Sequence, residues 1–259
     1  MRKTILLLFT VCAISTLQSC HLFFSDYGEK MTFGAGELFY KDGVTGDEAK
    51  KLGDYLLSEG FFTEENPNSV QITKKDDVYI FHMVTKDEYV KDDNFAQTAG
   101  FMAMDLSTDV FDKAKVNIEL ADENFKTQKE IPCPGIRIDR DSTFIYRRFE
   151  VDADIANEVT DYLVEIEFIG NQPTVISYGI EGDDFLLEAV MADGAELDKA
   201  VVNANKTICG LISAEILDSK PIKMHFLNED YSIKSVYTFE EIQHAYMLFI
   251  NSADSVSFE

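Results

Sequence analysis

The sequence predicts an α+β fold made of two tandem repeats with the order β-α-β-β-α-β(-β), whose antiparallel sheets carry helices packed on one face. Two observations lead to this expectation. Internal similarity recurs at a nearly constant spacing, and the apolar pattern switches between the helical period of 3.6 and the strand period of 2. The chain has 259 residues, of which 46% are hydrophobic and 27% are charged. That length is enough for two domains of roughly 100 residues, each with its own core.

Three segments of the first half recur in the same order in the second half, with aliphatic and aromatic classes kept. Residues 53–62 recur as 160–169, residues 76–81 as 183–188, and residues 106–125 as 212–231. The offsets are 107, 107 and 106 residues. The predicted organisation is a leader at 1–19, a spacer at 20–33, repeat 1 at 34–131, repeat 2 at 140–237 and a C-terminal helical cap at 238–259.

The elements of repeat 1 follow from capping and periodicity. Thr45 and Glu48 have the spacing of a capping box, which predicts a helix start, and Gly60 is a fitting stop. The apolar face of this helix is predicted as Ala49, Leu52, Leu56 and Leu57. The other predicted elements are strands at 37–40, 70–73, 78–84, 115–120 and 125–131, and a helix with Phe95, Ala99, Met102, Leu106 and Val110 on one stripe.

Repeat 2 predicts the same order, and a tail follows it. Its strands are expected at 144–147, 175–178, 185–190 and around Ile222, Met224 and Phe226. Its helical faces are expected as Ile155, Val159, Tyr162, Leu163 and Ile166, and then Leu197, Val201, Ala204, Ile208 and Leu211. In the tail, Thr238 and Glu241 form another capping box before a helix to about Ile250.

The N-terminus reads MRKTILLLFTVCAISTLQSC. A basic start and a short apolar core at 5–17 predict a secretory signal, because a bilayer span needs roughly 20 apolar residues. The last four residues, LQSC, resemble the lipobox of bacterial lipoproteins, which implies cleavage before Cys20 and acylation of its sulfur. A simple secretory signal with a chance cysteine is the alternative. Because His21 is not aspartate, the resemblance favours the outer membrane.

Repeat 1 also resembles an uncharacterised bacterial domain that occurs in membrane-associated and envelope proteins. The likeness lies in GELFYKDGVTGDEAKKLGDYLLSEGFF, VQITKKDDVYIFHMV and LSTDVFDKAKVNIELADENFKT, and it covers most of 36–128. Repeat 2 matches this pattern only through the internal repeat. The resemblance implies an envelope location and assigns no functional residue.

The formal net charge of −24 excludes whole classes of partner. Both repeats share it: repeat 1 has 21 acidic and 11 basic residues, and repeat 2 has 19 and 8. Such a chain is repelled by nucleic acid and by anionic lipid. Membrane attachment is therefore expected through acyl chains on Cys20.

Motifs for chemistry are sparse, so we predict no catalytic residue, metal or cofactor. His21, His82, His225 and His244 share no local motif and are expected to be structural or solvent-facing. A Ser/His/Asp set assembled only by the fold stays open. A secreted location would permit a disulfide, but Cys133 lies in a Pro-Cys-Pro linker and Cys209 in a predicted helix, so both are expected to be free thiols. No CxxC spacing suggests a metal. The aspartate pairs, including Asp76-Asp77 and Asp183-Asp184, fit turns and helix starts better than calcium loops.

The best candidate binding surface is the sheet face that the helices leave uncovered. In repeat 1, alternation places Tyr79, Phe81 and Met83 on one face and Val78, Ile80 and Val84 on the other. The predicted function is a non-enzymatic, lipid-anchored bacterial envelope protein that binds a partner or supports an assembly. One alternative is a peptidoglycan-binding or other glycan-binding module, because the element order resembles the sporulation-related peptidoglycan-binding repeat. The other is an envelope hydrolase whose site is hidden in the sequence.

Overall fold

The computed structural model describes residues 26–65, 67–140, 142–169 and 174–256. Two compact units divide the chain, the first ending at Pro134 and the second beginning at Gly135. The predicted leader, Cys20 and His21 lie outside the described residues. Among the described residues, no helix combines the length and the apolar character that crossing a membrane requires.

Unit 1 has a six-stranded sheet in which the strands lie in chain order, β1 to β6. Its elements are β1 (Glu29–Phe33), β2 (Gly36–Tyr40), α1 (Gly46–Ser58), β3 (Ser69–Lys75), β4 (Val78–Val84), α2 (Asp87–Val90), α3 (Asp93–Asp109), β5 (Val116–Ala121) and β6 (Thr127–Ile131). Each hairpin, β1–β2, β3–β4 and β5–β6, is antiparallel. Neighbouring hairpins join in parallel, as β2–β3 and β4–β5.

Unit 2 repeats this arrangement and extends it by one helix. Its elements are β7 (Gly135–Arg140), β8 (Thr143–Arg148), α4 (Ala153–Glu165), β9 (Thr174–Glu181), β10 (Asp184–Val190), a short 3₁₀ turn (Ala195–Leu197), α5 (Lys199–Glu215), β11 (Ile222–Leu227), β12 (Ile233–Tyr237) and α6 (Phe239–Val256). The sheet again follows chain order, from β7 to β12. The parallel pairs are β8–β9 and β10–β11.

The tandem α+β prediction is confirmed, and the sheets are mixed rather than wholly antiparallel. The reason is the connection: a helix between two strands returns the chain to the starting end of the sheet, so the next strand runs parallel. Two strands were not predicted. β1 lies in the stretch expected to be a spacer, and β7 directly follows the Pro-Cys-Pro segment.

The helices of unit 2 pack together on one face of its sheet. Val159 and Leu163 of α4, Cys209 and Ile212 of α5, and Ile242 of α6 are all buried. They form one cluster with the inward side chains of the strands, which include Ile176, Leu187, Met224 and Phe226. The predicted inward row of the last strand, Ile222, Met224 and Phe226, is fully buried and therefore confirmed.

Capping chemistry starts the helices where the sequence indicates. The hydroxyl of Thr45 accepts from the Glu48 amide, and the Glu48 carboxylate accepts from the Thr45 amide, which completes the predicted box. Thr238 and Glu241 make the same reciprocal pair before α6. Two of the aspartate pairs supply N-caps, Asp92 for α3 and Asp152 for α4, as expected of helix starts. Asp76 and Asp77 form the β3–β4 turn, both with positive φ.

Four apolar residues assigned to buried helical faces, among them Ala204 of α5, are exposed instead. Leu57 is 41% exposed, Ile166 37% and Leu197 80%. Leu57 and Ile166 lie at the last turn or just past the end of their helices, where the sheet no longer covers them. Leu197 precedes α5 in the 3₁₀ turn, and the buried face of α5 contains Asn205, Cys209, Ile212 and Ser213.

The alignment of the two hairpins also needs a correction of one residue. The two-residue turn between β9 and β10 is Gly182-Asp183, so Asp184 is the first residue of β10 and not a turn residue. The structural offset at the hairpin is therefore 106 rather than 107. Because side chains alternate faces along a strand, this single step decides which residues of the two units are equivalent.

Candidate functional site

Each sheet has a helix-free face, which we define as the face opposite its helices. In unit 1 this face carries Ile80, His82 and Val84 of β4, while Tyr79, Phe81 and Met83 are buried on the helix side. This is the division that alternation predicts. The helix-free face is therefore where the predicted binding surface has to be sought.

One row of residues crosses each helix-free face through all six strands, and we call it the central row. In unit 1 the row is Lys30, Phe39, Gln71, His82, Glu119 and Glu130. In unit 2 it is Arg137, Tyr146, Ser177, Glu188, His225 and Val236. Both rows begin with a cation, continue with an aromatic ring and contain one adjacent histidine–glutamate pair.

The histidine–glutamate pair is present in both units with its members exchanged. His82 on β4 is level with Glu119 on β5, whereas Glu188 on β10 is level with His225 on β11. His82 Nδ1 lies 3.1 Å from Glu119 Oε2, and His225 Nδ1 lies 3.6 Å from Glu188 Oε1. Neither Nδ1 atom has a hydrogen-bond partner within the described part of the chain. Strand register therefore sets both contacts, and each becomes an ion pair only when its histidine is protonated.

A neighbouring cation makes the electrostatic surroundings of the two histidine–glutamate pairs different. Arg148 Nη2 donates to Glu188 Oε2 at 2.7 Å, and its side chain runs across Gly179, where an added Cβ would lie 3.0 Å from Arg148 Cδ. The equivalent position in unit 1 is Lys41, which donates instead to the Asp26 carbonyl at 2.9 Å. In unit 2 the central residue of β10 is Glu188, and the Arg148 cation lies beside it. In unit 1 the equivalent position on β4 is His82.

The pKa values follow from these surroundings. Burial lowers the pKa of His82, and the Lys41 charge lowers it further against the opposing effect of Glu119. Burial alone would raise the pKa of Glu188, but His225, Arg148 and Ser177 together hold it below its ordinary value. Unit 1 accordingly favours a neutral imidazole, and unit 2 favours an ionised carboxylate.

An aromatic pair covers one side of each central row. Phe39 of the row meets Phe125 of the β5–β6 loop with ring centroids 5.5 Å apart, and Tyr146 meets Tyr231 of the β11–β12 loop at 5.8 Å. Phe125 and Tyr231 both have positive φ, which turns each loop residue back over its sheet. In unit 1, Tyr27 adds a third ring, 5.2 Å from Phe125.

The two rows differ in how far solvent reaches them. In unit 2 the side chains of Tyr146, Ser177, Glu188 and His225 are at most 4% exposed. In unit 1 the side chains of His82 and Glu119 keep 12% and 15% exposure. Those four side chains are therefore sealed, although the last member of the unit 2 row, Val236, is 49% exposed; the histidine–glutamate pair is within partial reach of a ligand in unit 1.

Unit 1 also brings a hydroxyl, an imidazole and a carboxylate into line. Thr73 Oγ1 lies 3.3 Å from His82 Nε2, and the other ring nitrogen faces Glu119. The Thr127 hydroxyl donates to the same carboxylate. This is the order of groups in a nucleophilic triad. In unit 2, however, Gly179 stands where Thr73 stands and supplies no hydroxyl.

Two of the histidines that were expected to be unrelated occupy equivalent positions in the structure. His82 and His225 lie in equivalent rows, each beside a glutamate, whereas His244 is exposed on α6. This relation was not predicted, although the sequence contains the signal: at the offset of 106, His82 corresponds to Glu188 and Glu119 to His225. The reciprocal exchange became readable once the hairpin was aligned correctly.

Among the described residues, the cysteines and the acidic clusters are not arranged as a candidate functional site. Cys133 and Cys209 are both buried and are not bonded to each other. Burial raises the pKa of Cys209 to about 12, so its thiol is protonated at neutral pH. Within the described ranges, no group of three or more His, Cys, Asp or Glu side chains is arranged to hold a metal ion. Asp139 pairs with Arg137 at 2.8 Å.

Comparison with known protein families gives a match in unit 1. No curated protein and no solved structure matches the chain. Residues 30–132 match a protein-family model described as a family N-terminal domain, and this range contains the whole unit 1 sheet except for the first residue of β1.

Proposed function

We propose that this protein is a non-enzymatic, lipid-anchored component of a bacterial envelope that binds a partner or supports an assembly through its duplicated units. The observation that carries the proposal is the pair of central rows. They preserve their position, their aromatic cover and one histidine–glutamate pair, but the two members of the pair exchange strands. A duplicated frame with interchangeable polar groups is what packing requires, whereas catalysis requires a particular group at a particular atom.

Burial supports a structural role for the unit 2 row. Glu188 is 1% exposed and contacts both Arg148 and His225, so its contacts are satisfied inside the protein. Buried charged groups that pair in this way define how strands align more than they offer a site to a ligand. Partner binding is therefore expected at the outer surfaces of the units, through exposed side chains such as Leu57 of α1 and Phe149 after β8.

Attachment to the membrane rests on the sequence of the leader. The LQSC segment places Cys20 where a lipoprotein is acylated, and two or three acyl chains hold a protein on a bilayer firmly, since each buried CH₂ contributes about 0.8 kcal/mol. Metabolic labelling with a palmitate analogue tests this. Cys20→Ser is expected to abolish the label and release the protein from membranes, whereas Cys12→Ser, the matched change within the leader, leaves the label in place.

Partner binding is tested by photocross-linking in intact cells and by a pulldown. Photoreactive residues at positions 57 and 149, which are 41% and 53% exposed, are expected to cross-link to protein. In parallel, the full chain carrying Cys20→Ser is incubated with purified peptidoglycan at low salt. Retention on the glycan without protein cross-links would contradict protein binding and favour the glycan-binding alternative.

The line of Thr73, His82 and Glu119 favours one second candidate, an envelope hydrolase acting through unit 1. A fluorophosphonate probe and a panel of simple esters test it directly. The leading proposal expects no labelling and no turnover. Labelling that disappears in Thr73→Ala and His82→Gln, but persists in the control Thr108→Ala on α3, would establish the hydrolase instead.

A further inference from the structure

Helix α6 is an addition to the repeat, because no described element of unit 1 corresponds to it. Its inner face packs on α5: Ile242 is fully buried, and a Cβ on Gly210 would lie only 2.5 Å from the Cβ of Tyr246. The two helices therefore approach closely at Gly210. Other residues of the same two helices line a groove.

The groove measures about 610 Å³ and is lined by both helices. Lys206 of α5 and Glu240, Glu241, Leu248 and Phe249 of α6 are among the residues that line it. Leu248 is 59% exposed and Phe249 47%, and the adjacent Met247 is 53% exposed. Three consecutive large apolar side chains on a helix point about 100° apart, so they cannot all pack against α5. Exposed apolar side chains grouped in this way mark an interaction surface.

The charges around the groove select its occupant. Lys206 is already engaged, because its Nζ lies 3.4 Å from Glu241 Oε1 and 4.5 Å from the centre of the Tyr237 ring. Glu240 is exposed, and no basic side chain of the described residues lies within 4.0 Å of its carboxylate. The rim thus presents uncompensated negative charge beside an apolar floor. With a net charge of −24 behind it, this surface repels anionic lipid and acidic peptides.

We propose that the α5–α6 groove binds a cationic amphipathic helix of a partner protein, a proposal that rests on the binding role put forward above. The partner's apolar face covers Leu248 and Phe249, and its lysine or arginine side chains meet Glu240. This is the helix-in-groove mode, in which apolar anchors supply affinity and the charged rim supplies selectivity. A second copy of α6 fits less well, because α6 contains no lysine or arginine.

The test uses the full chain in zwitterionic liposomes with a photoreactive residue at position 248. The probe is an 18-residue helical peptide of leucine and lysine, and its twin has glutamate in place of every lysine. We expect saturable cross-linking to the lysine peptide, with a yield at least roughly tenfold lower for the glutamate twin. A photoreactive residue at position 197, which is 80% exposed in the same unit, is expected to give only background.

Two variants identify the groove as the binding surface. Phe249→Asn is expected to raise the half-maximal peptide concentration about tenfold, and Glu240→Gln about threefold with a weaker dependence on salt. Leu197→Asn is the matched control and leaves binding unchanged. Unaltered thermal unfolding in each variant shows that the effect is on binding, since all three side chains are exposed.

Several results would overturn this proposal. Equal cross-linking to the acidic twin, or an equal yield at position 197, would show nonspecific association. Adducts to lipid alone would assign the surface to the membrane. If position 248 fails while positions 57 and 149 still cross-link to protein in cells, the groove is rejected and the binding role stands. If all positions fail, the binding role is rejected as well.

Discussion

The two units have the same sheet architecture, but the histidine and the glutamate of the central row lie in opposite order. In unit 1 the histidine lies on the inner strand β4 and the glutamate on β5, whereas unit 2 has glutamate on β10 and histidine on β11. Arg148 crosses Gly179 to reach that glutamate. Unit 1 has Lys41 at the position of Arg148 and Thr73 at the position of Gly179. Both sheets therefore have a histidine–glutamate pair at this level, and the units differ in which strand carries which member.

The largest expected effect comes from removing the cation that distinguishes unit 2. Arg148→Met leaves Glu188, which is 1% exposed, without its closest partner, and should cost about 3 kcal/mol of unfolding free energy. Lys41→Met, the equivalent change in unit 1, should cost less than about 1 kcal/mol because Lys41 is partly exposed. Urea unfolding followed by hydrogen exchange in each unit measures both. Equal losses would contradict the different roles assigned to the two cations.

The second contrast concerns the helix that only unit 2 possesses. Gly210→Ala should destabilise unit 2 by about 1–3 kcal/mol, because its Cβ would collide with Tyr246. Gly100→Ala on α3 should change stability by less than about 0.5 kcal/mol, because the gain in helix propensity offsets a 3.3 Å contact with Pro134. Thermal unfolding of both variants decides this. If Gly100→Ala lowered the stability by a similar amount, the close α5–α6 contact would not be the reason for the effect of Gly210→Ala.

The third contrast is the pH at which each unit weakens. The folded pKa of His82 is below its ordinary value of 6.5, so unit 1 keeps its full stability above pH 6.5 and loses it as pH falls further. The folded pKa of Glu188 is below 4.5, so unit 2 begins to lose stability only below about that pH. Hydrogen exchange between pH 4 and 8 resolves the two windows. His82→Gln should flatten the first, whereas the exposed control His244→Gln should not.

The smallest effects are expected at the first helix of each unit. Thr45→Ala in unit 1 and Asp152→Ala in unit 2 each remove an N-cap and should cost about 1 kcal/mol. Only the Asp152 effect should shrink with added salt, because a charged cap also interacts with the helix dipole. Unfolding in low and high salt measures this difference, and identical salt responses would contradict it.

Local patterns in the sequence were enough to predict much of the fold. Capping boxes at Thr45 and Thr238, the alternation of β4 and β11, and the repeat itself depend on neighbours in the chain. Each therefore leaves a signal within a few residues. The parallel joining of hairpins could have been inferred from the intervening helices, but strands β1 and β7 could not, since their short sequences carry weak alternation and gain stability only by pairing with β2 and β8.

The candidate site was far less predictable, and the reason is register. His82 and Glu119 are 37 residues apart in sequence, and they become neighbours only because β4 and β5 pair in parallel at one alignment. A slip of one residue moves every side chain to the other face, and the hairpin alignment by sequence contained such a slip. The exchange of histidine and glutamate between units was therefore invisible until the hydrogen-bonded pairing was known.

The sequence by itself determined the duplication, the helix starts, the alternating core rows and the acidic character of the chain. These depend on local propensity, periodicity and composition. Only the tertiary structure decided the central rows, the passage of Arg148 over Gly179 and the groove between α5 and α6. Each of these depends on contacts between segments distant in the chain, and such contacts are set by strand register and helix packing rather than by any short stretch of sequence.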